Sequence, residues 1–544
     1  MNGTNTSKRT LAVAYPLILG VAVSVGYLMG TNLGGPAATG SPIFELRRPT
    51  PGTKLQQVLD LIDRQYVDTV REGQLVDAVL QDMLQQLDPH SYYISAKDLR
   101  AAEEPLEGSF TGIGVEFSIQ RDTIVVVATI EGGPSEALGI RAGDRLVSAD
   151  SVQLAGVGAT NQMVMTALRG PSGTKVNVGV VRNGSEPFKV SITRSPIPIN
   201  SIAAAFMDTG GTAYVKLSRF ARTTPEEFLK AVQDLKEQGM KRLVLDLRGN
   251  GGGYLNAAIS LCEELLPQGS GIVYTEGRSS PRQDYKADER GSLTDMPLAV
   301  LIDEGSASAS EIVAGAVQDN DRGLIAGRRS FGKGLVQEQV NLRDGSAVRL
   351  TTARYYTPSG RCIQRPYGEG IKYDEDLETR YLHGELVNKD SIHLDSSDTY
   401  YTKGGRTVFG GGGIMPDLFV AADTAERSMY LGELFFSGAL NQYAFDLADR
   451  HRARLARYGD AARFQAEYEV TSGMLQELAA EARKLGVAED PKALERSAPV
   501  IALRLKAGIA RNIWGDGGYY RVLLGNDRIY HQAVRSLRKG SPAA

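Results

Sequence analysis

A short apolar run that leads through small residues into a helical pattern constrains the fold of this chain more than any other feature. Residues 296–302 are apolar and include Pro297, which predicts a short buried strand. The sequence Asp-Glu-Gly-Ser-Ala-Ser-Ala-Ser-Glu follows at 303–311. The apolar residues beyond it fall on one helical face, at positions 312, 313, 316 and 317. Ser308 is therefore predicted to lie where a buried strand turns into a helix.

The surrounding residues alternate between strand and helix patterns. Residues 213–217 and 243–247 are typical of strands, and a helical pattern over 226–238 separates them. Such alternation through residues 196–370 predicts an α/β core. The second of these strands runs directly into Asp-Leu-Arg-Gly-Asn-Gly-Gly-Gly at 246–253, where glycines allow the backbone to approach a ligand closely.

The amino terminus of a helix suits a nucleophile that attacks a carbonyl group, because unpaired N–H groups and the helix dipole favour developing negative charge. Ser308 is therefore a candidate nucleophile. Backbone amides that would stabilise the oxyanion are expected at Gly251, Gly252 and Ala309. Each feature also has a purely structural interpretation. Ser308 with Glu311 fits a capping box, and the glycine run fits a tight strand-to-helix turn.

A serine nucleophile needs a base, and a lysine is a better candidate here than a histidine. The five histidines lie outside the glycine-punctuated core (His90, His383, His393, His451 and His531). Lys333 precedes an apolar strand pattern in which positions 333, 335 and 337 point to one side. Burial of the lysine would favour its neutral form, and Gln337 would orient the amine by accepting a hydrogen bond.

Four motifs together resemble the carboxyl-terminal processing proteases, also called tail-specific proteases. They are Ser-Ala-Ser-Ala-Ser-Glu at 306–311, Phe-Gly-Lys-Gly at 331–334, the glycine motif at 246–253, and Thr-Ala-Arg-Tyr-Tyr-Thr-Pro-Ser-Gly-Arg at 352–361. The resemblance covers residues 53–422 in the order of the family. One departure is Gly251, where many members carry proline, and glycine leaves the amides of this loop available.

The resemblance implies a serine endopeptidase with a core like the ClpP and crotonase folds. By matching positions it implies Ser308 as nucleophile, Lys333 as general base and Gln337 as the residue that positions the lysine. The implied substrates are proteins cut near a free, apolar carboxyl terminus, and no metal or organic cofactor is required. A different class of function is an inactive scaffold that binds ligands without cutting them. That alternative predicts loss of the serine, the lysine or the glycine loop, and all three are present.

Two nucleotide-binding motifs fail on their context. Residues 327–333 match the start of a phosphate-binding P-loop, but Gly334 stands where a hydroxyl would bind Mg²⁺ and a strand pattern follows. A dinucleotide fingerprint that begins at Gly112 and Gly114 has Phe117 in place of its third glycine. A net charge of −3 also gives no reason to expect nucleic acid as a partner.

The amino-terminal residues predict a membrane anchor. Lys8 and Arg9 precede an uncharged apolar run at 11–29, which nearly matches the thickness of a hydrocarbon core. Residues 1–30 are therefore predicted to anchor an exported protein on the periplasmic side of a bacterial inner membrane, with residues 31–52 as a flexible linker. A cleaved signal peptide is the alternative.

The next two segments are predicted to be helical and then β-rich. Residues 53–106 begin with two amphipathic helices, and the family uses such a region for packing and self-association. Residues 107–195 resemble a PDZ domain, in which a peptide adds to a sheet edge and loop amides bind its carboxylate. The residues implied in peptide binding are Gly112, Ile113, Gly114, Val115 and Arg169. Arg169 would couple peptide binding to the active site, or else pair with a surface acid.

The rest of the chain comprises the protease core and a helical tail. The core is predicted over residues 196–422, with a polar insertion at 371–405 whose two histidines, His383 and His393, are expected on the surface. Residues 423–544 have a helical pattern that shorter family members lack. Packing on the core, self-association and docking of an adaptor protein are the alternatives for this tail.

Overall fold

The computed structural model describes residues 51–540, except residues 131, 183–184, 393–397 and 425. The predicted anchor at 11–29 and His393 lie outside the described residues. Within the described ranges, no helix is both long enough and apolar enough to cross a bilayer. The chain divides into two compact units after Val76. The first unit contributes α1 (Pro51–Gln65) and the first turn of α2 (Glu72–Gln85) to the described part.

The predicted PDZ segment forms a sheet with the strand order β3-β4-β5-β7-β8, in which all neighbours are antiparallel and β6 pairs with β5. Its core is fully buried around Ile124, Leu146 and Val178. The elements up to this sheet's end are β1 (Tyr92–Ile94), α3 (Ala96–Glu107), β2 (Ser109–Gly112), β3 (Val115–Gln120), β4 (Thr123–Thr129), α4 (Pro134–Ala137), β5 (Arg145–Ala149), β6 (Val152–Gln153), α5 (Asn161–Leu168), β7 (Lys175–Val181) and β8 (Phe188–Thr193). Strand β9 (Ser195–Pro198) returns to pair with β2.

A six-stranded sheet of order β10-β11-β12-β15-β16-β21 forms the predicted α/β core. Strand β10 is antiparallel to β11, and the other neighbours are parallel. The strands are β10 (Ile202–Met207), β11 (Thr212–Leu217), β12 (Arg242–Asp246), β15 (Leu298–Ile302), β16 (Leu324–Gly327) and β21 (Leu418–Phe419). Helices α6 (Thr224–Glu237), α7 (Leu255–Leu265) and α8 (Ala309–Asp319) belong to the apolar core on one face of this sheet.

A second sheet contains the strand that follows Lys333. Its order is β1-β18-β13-β14, and β17 pairs with β18 in antiparallel fashion. The strands are β13 (Gly271–Glu276), β14 (Gln283–Lys286), β17 (Leu335–Asn341) and β18 (Ala347–Tyr356). A strand therefore follows Lys333, in agreement with the sequence pattern that argued against a P-loop.

The predicted polar insertion at 371–405 contains helix and strand in its described residues. It contains α9 (Asp376–Leu382), and β19 (Thr399–Tyr401) pairs with β20 (Thr407–Phe409). Arg380 is buried because its guanidinium donates to the carbonyls of Ser330 and Arg329 and pairs with Glu385. Ionic and polar contacts therefore connect this helix to the protease core.

The tail is helical, as predicted, and its last helix packs on the protease core. The helices are α10 (Met429–Phe436), α11 (Ala439–Leu455), α12 (Ala461–Glu467), α13 (Ser472–Lys484), α14 (Pro491–Leu524) and α15 (Arg528–Arg538). Helix α14 is kinked at Trp514 and Gly515, whose backbones are not helical. Helix α15 shares an apolar cluster with core-sheet residues such as Val244 and Leu301. The core sheet therefore has helices on both faces.

Candidate active site

Ser308 lies between β15 and α8, where the sequence predicted a strand-to-helix turn. It is the residue immediately before α8, and its backbone has φ 55° and ψ −114°. A positive φ is unfavourable for a residue with a Cβ and costs about 1–3 kcal/mol. The structure offsets that cost with backbone contacts: the Ser308 amide donates to Glu311 Oε2 at 2.8 Å, and its carbonyl accepts from the Glu311 amide at 2.8 Å. The Glu311 half of the capping box is thus present, and it holds the serine in a strained conformation.

The glycine-rich loop packs directly against this turn. Gly252 has φ +99°, and a Cβ added to it would lie 2.8 Å from Ser308 Cβ and 3.0 Å from the Ala309 nitrogen. The backbone of the loop therefore approaches Ser308 as closely as a residue without a side chain allows. The approach also explains why glycine is needed at this position.

The predicted oxyanion donors differ in their availability. The Gly252 amide donates to Asn250 Oδ1 at 2.9 Å, and Asn250 is itself fixed because its side-chain nitrogen donates to the Leu217 carbonyl at 3.0 Å. Among the described residues, no protein acceptor is found for the amides of Gly251 and Ala309. Two of the three predicted amides therefore remain available to a ligand, and Gly252 has a steric role instead.

Lys333 and Gln337 meet as predicted, although not through a regular strand. The Lys333 amine donates to Gln337 Oε1 at 2.9 Å. Side chains four residues apart in an extended strand lie about 13 Å apart, so simple alternation would not join them. Here β17 begins only at Leu335, and its register shifts between Val336 and Gln337. The Gln337 amide nitrogen donates to the His90 carbonyl, which orients the amide oxygen towards the lysine.

The lysine amine lies in surroundings that favour its neutral form. Burial lowers the pKa of Lys333, while the nearby carboxylates of Asp88 and Glu311 oppose that shift. His90 lies in a turn that the Asp88 carboxylate caps, because the His90 amide donates to Asp88 Oδ1 at 2.8 Å. Its ring also lies 2.8 Å from the Tyr373 hydroxyl, and burial together with Lys333 lowers the pKa of His90 to about 4. His90 is therefore neutral beside the lysine.

Glu311 joins the serine and lysine segments, a role that sequence reasoning missed. Its fully buried carboxylate accepts the Ser308 amide at 2.8 Å and the Lys333 amide at 2.9 Å through Oε2. Through Oε1 it accepts the Gly332 amide at 2.7 Å and the Ser330 hydroxyl at 2.5 Å. Burial raises the pKa of Glu311 to about 7, although these four hydrogen bonds act in the opposite direction. The sequence identified only the local capping bond.

Tyr355 makes a second connection between the same segments. Its buried hydroxyl, on β18, lies 3.1 Å from the Ser308 carbonyl oxygen and also donates to the Lys333 carbonyl. Tyr355 and Tyr356 both lie in the motif at 352–361, but nothing in the sequence indicated which of the two would contact the serine and lysine segments. Glu311 and Tyr355 together fix the backbones on which the candidate nucleophile and base stand.

A groove in the predicted PDZ domain lies between β3 and α5. It encloses a cavity of about 260 Å³ lined by Phe110, Gly112, Ile113, Gly114, Val115, Glu116, Phe117, Met165, Leu168 and Arg169. All five residues implied in peptide binding therefore line one cavity. The Arg169 guanidinium donates to Glu104 Oε2 at 2.6 Å and lies 4.4 Å from the centre of the Phe110 ring. In this structure Arg169 pairs with Glu104 of α3, whose side chain is 13% exposed, and its role in coupling peptide binding to the active site stays a prediction.

Of the two histidines in the predicted insertion, the structure describes His383. His383 is exposed, in agreement with its predicted surface position. Within the part of the chain that the structure describes, no group of three or more His, Cys, Asp or Glu side chains is arranged to hold a metal ion.

Comparison with known proteins identifies the segments that carry these features. Residues 211–377 match the model of peptidase family S41, and residues 111–192 match a PDZ domain. Residues 44–98 match an activating protease CtpB N-terminal domain, and residues 430–515 match a family of unknown function.

Individual relatives extend the similarity over most of their own length. The chain is 37% identical over 353 residues to a carboxy-terminal-processing protease of Bartonella bacilliformis, covering 61% of this chain and 80% of that protein. It is 31% identical to the carboxy-terminal processing protease CtpA of Bacillus subtilis, covering 67% and 74%. The solved photosystem II D1 C-terminal processing protease is 33% identical, with 58% and 84% covered and a TM-score of 0.34.

Proposed function

We propose that this chain, which belongs to the carboxy-terminal processing proteases of peptidase family S41, uses Ser308 and Lys333 to cut peptide bonds. The family makes it a serine-type peptidase, and the alternative of an inactive scaffold is not favoured. The observation that carries the assignment is the single carboxylate of Glu311, which accepts the amides of both Ser308 and Lys333. A fold that only bound ligands would have no need to fix these two backbones together.

The proposed reaction follows from the surroundings of each group. Lys333, neutral because it is buried, takes the proton of Ser308 as the serine oxygen attacks the substrate carbonyl carbon. Gln337 holds the amine through its oxygen. The oxyanion that forms accepts hydrogen bonds from the amides of Gly251 and Ala309, at the amino terminus of α8. The protonated lysine then donates to the leaving amine, and water activated by the same amine releases the acyl group.

We further propose that the PDZ groove selects the substrate by its carboxyl terminus. The cavity between β3 and α5 has a volume of about 260 Å³, and its lining is mostly apolar. The loop at 112–115 would bind the terminal carboxylate through backbone amides, while the peptide adds as a strand beside β3. The substrates would be proteins with free, apolar carboxyl termini.

The cellular setting rests on the sequence alone. We propose an exported protease on the periplasmic side of a bacterial inner membrane, anchored by residues 11–29. We expect the full chain to stay in the membrane fraction after alkaline extraction. The chain without residues 1–40 should be absent from that fraction.

The exposed apolar side chains of α1, Leu55, Val58 and Leu61, support self-association through that region. Docking of an adaptor protein stays a prediction.

The proposal is tested with a quenched fluorescent peptide that ends in a free apolar carboxyl terminus. The chain without residues 1–40 is expected to cut it, and Ser308→Ala and Lys333→Ala are expected to be folded but silent. Ser428→Ala is the matched control, because Ser428 also caps a helix, accepting the Leu431 amide at 3.1 Å. If Ser308 were only a cap, the two serine variants would behave alike. Cleavage that survives Ser308→Ala would exclude Ser308 as the nucleophile.

A further inference from the structure

A buried ionic cluster lies directly behind the glycine-rich loop. Arg248 donates to both oxygens of Asp246, at 2.6 Å to Oδ2 and 3.0 Å to Oδ1. Asp246 also accepts the Tyr214 hydroxyl at 2.7 Å, and Lys216 lies 3.4 Å from it. The fifth member comes from the helical tail: Arg248 Nη1 donates to Asp527 Oδ2 at 2.7 Å.

The charges of this cluster balance only when the tail is included. Lys216 and Arg248 carry two positive charges, and Asp246 alone carries one negative charge. The side chains of Lys216 and Asp246 are 8% and 2% exposed, and those of Arg248 and Asp527 are each 17% exposed. An unbalanced charge at such sites is costly, because water screens it poorly. Asp527 therefore supplies the second negative charge that the buried cluster needs.

Asp527 is held firmly with respect to the core sheet. It is the residue before α15, and its carboxylate accepts the Tyr530 amide at 2.9 Å. Helix α15 buries Ile529, Tyr530, Ala533 and Val534 in the apolar cluster on the core sheet. The Asp527 carboxylate is thus held by two hydrogen bonds, one from the amide of Tyr530 and one from the guanidinium of Arg248.

Arg248 transmits this position to the loop that follows it. The Lys216 amine donates to the Arg248 carbonyl, and the next amide, that of Gly249, donates to Asp303 Oδ1 at 2.8 Å. Only two residues separate Arg248 from Gly251, whose amide is one of the two proposed oxyanion donors. The ionic cluster therefore fixes the start of the loop that the reaction uses.

We infer that Asp527 is a positioning residue for peptide cleavage, acting through Arg248 on the glycine-rich loop. The inference rests on the proposed function of that loop, and it gives the helical tail a part in the active site. Asp527 lies outside the segment that matches the peptidase family model, residues 211–377. The tail thus completes an ionic cluster whose other members belong to that segment.

The variant Asp527→Asn separates the ionic contact from the helix cap. Asparagine caps helices as well as aspartate does, so α15 keeps its cap while the cluster loses a negative charge. A displaced oxyanion donor weakens only the transition state, so kcat is expected to fall about tenfold while KM stays within about twofold. The affinity for a peptide boronic acid, which forms a tetrahedral adduct with the serine, should fall by a similar factor.

Asp490→Asn is the matched control. Asp490 caps α14 of the same tail and accepts the Ala493 amide at 2.9 Å, but it lies outside the cluster. This variant is expected to keep the kcat and the boronate affinity of the parent. The alanine variants remove the caps as well, and Asp527→Ala should lower the melting temperature further than Asp490→Ala, because it also leaves Arg248 without its second carboxylate.

The outcomes distinguish this inference from the proposed function. If the parent cuts the peptide and Ser308→Ala does not, the proposed function stands whatever the tail variants do. An unchanged kcat in Asp527→Asn would then overturn the inference, and so would an equal loss in Asp490→Asn. A parent that neither cuts the peptide nor binds the boronate would overturn the proposed function itself.

Discussion

Replacement of Glu311 by glutamine tests whether one carboxylate organises the active site. The carboxylate accepts four hydrogen bonds, two at each oxygen, and every partner is an N–H or O–H group. Glutamine retains one oxygen and places an NH₂ group where the other stood. Two buried donors then face the NH₂ group instead of an acceptor, and each unsatisfied donor costs about 1–3 kcal/mol of stability. The free energy of unfolding should therefore fall by about 2–6 kcal/mol.

The activity of the folded variant should fall as well. Either Ser308 and Lys333, or Gly332 and Ser330, lose their shared acceptor, and a shift of about 1 Å in a reacting group can cost a hundredfold in rate. We expect kcat of the folded Glu311→Gln variant to fall by about that factor. Unfolding in urea gives the stability, and cleavage of the fluorescent peptide at a temperature where the variant is folded gives kcat.

Glu227→Gln is the control for the loss of a carboxylate that binds backbone amides. Glu227 Oε2 accepts the amides of Ser201 and Ile202 at 2.6 and 3.1 Å, and Oε1 accepts the Thr223 hydroxyl at 2.6 Å. It is expected to lose stability but keep kcat. Retention of parental kcat by folded Glu311→Gln, or an equal loss of kcat in Glu227→Gln, would refute the reasoning.

Two further predictions concern the loop and the lysine. Gly252→Ala should lower kcat about a hundredfold, because its Cβ would lie 2.8 Å from both Ser308 Cβ and the Ala307 carbonyl oxygen. Gly249→Ala is the control and should keep most of kcat, because Gly249 also has a positive φ, +65°, but has open space for a Cβ. Equal losses of kcat in the two variants would contradict the steric argument. Because burial lowers the pKa of Lys333, kcat/KM should rise with pH as the amine loses its proton, with a midpoint below the ordinary lysine value of about 10.4. A midpoint at or above that value in the pH profile would contradict a buried base, and Lys333→Arg, which keeps the charge, should be inactive at every pH.

The sequence predicted the parts of the site that are local and left out those that join distant segments. The turn at Ser308 follows from an apolar run, small residues and a helical period that are adjacent in the chain. The contact of Lys333 with Gln337 was expected for an incomplete reason, because an irregular start of β17 brings the two together. The Gly252 amide was predicted to be an oxyanion donor, but it donates to the side-chain oxygen of Asn250. Hydrophobic periodicity does not indicate such a side-chain acceptor.

Glu311 and Asp527 show why the rest could not be predicted. A glutamate three residues after a serine has a sufficient local explanation as a cap, so nothing in the sequence required it to reach Lys333. The contact of Asp527 with Arg248 joins residues from different domains, and helical periodicity places Asp527 before a helix without saying what it faces. The fold class is encoded in local periodicity, whereas the ionic contacts depend on the packing of complete domains.

The position of α15 also determines when the protease can first be assembled during synthesis. Strand β16 ends at Gly327 and α15 begins at Arg528, so one apolar face of the core sheet stays uncovered while the intervening chain leaves the ribosome. Nascent domains fold in the order in which they are made, and uncovered apolar surface is a ligand for chaperones. A nascent chain would thus carry Ser308 and Lys333 long before it carried the helix that covers the sheet behind them.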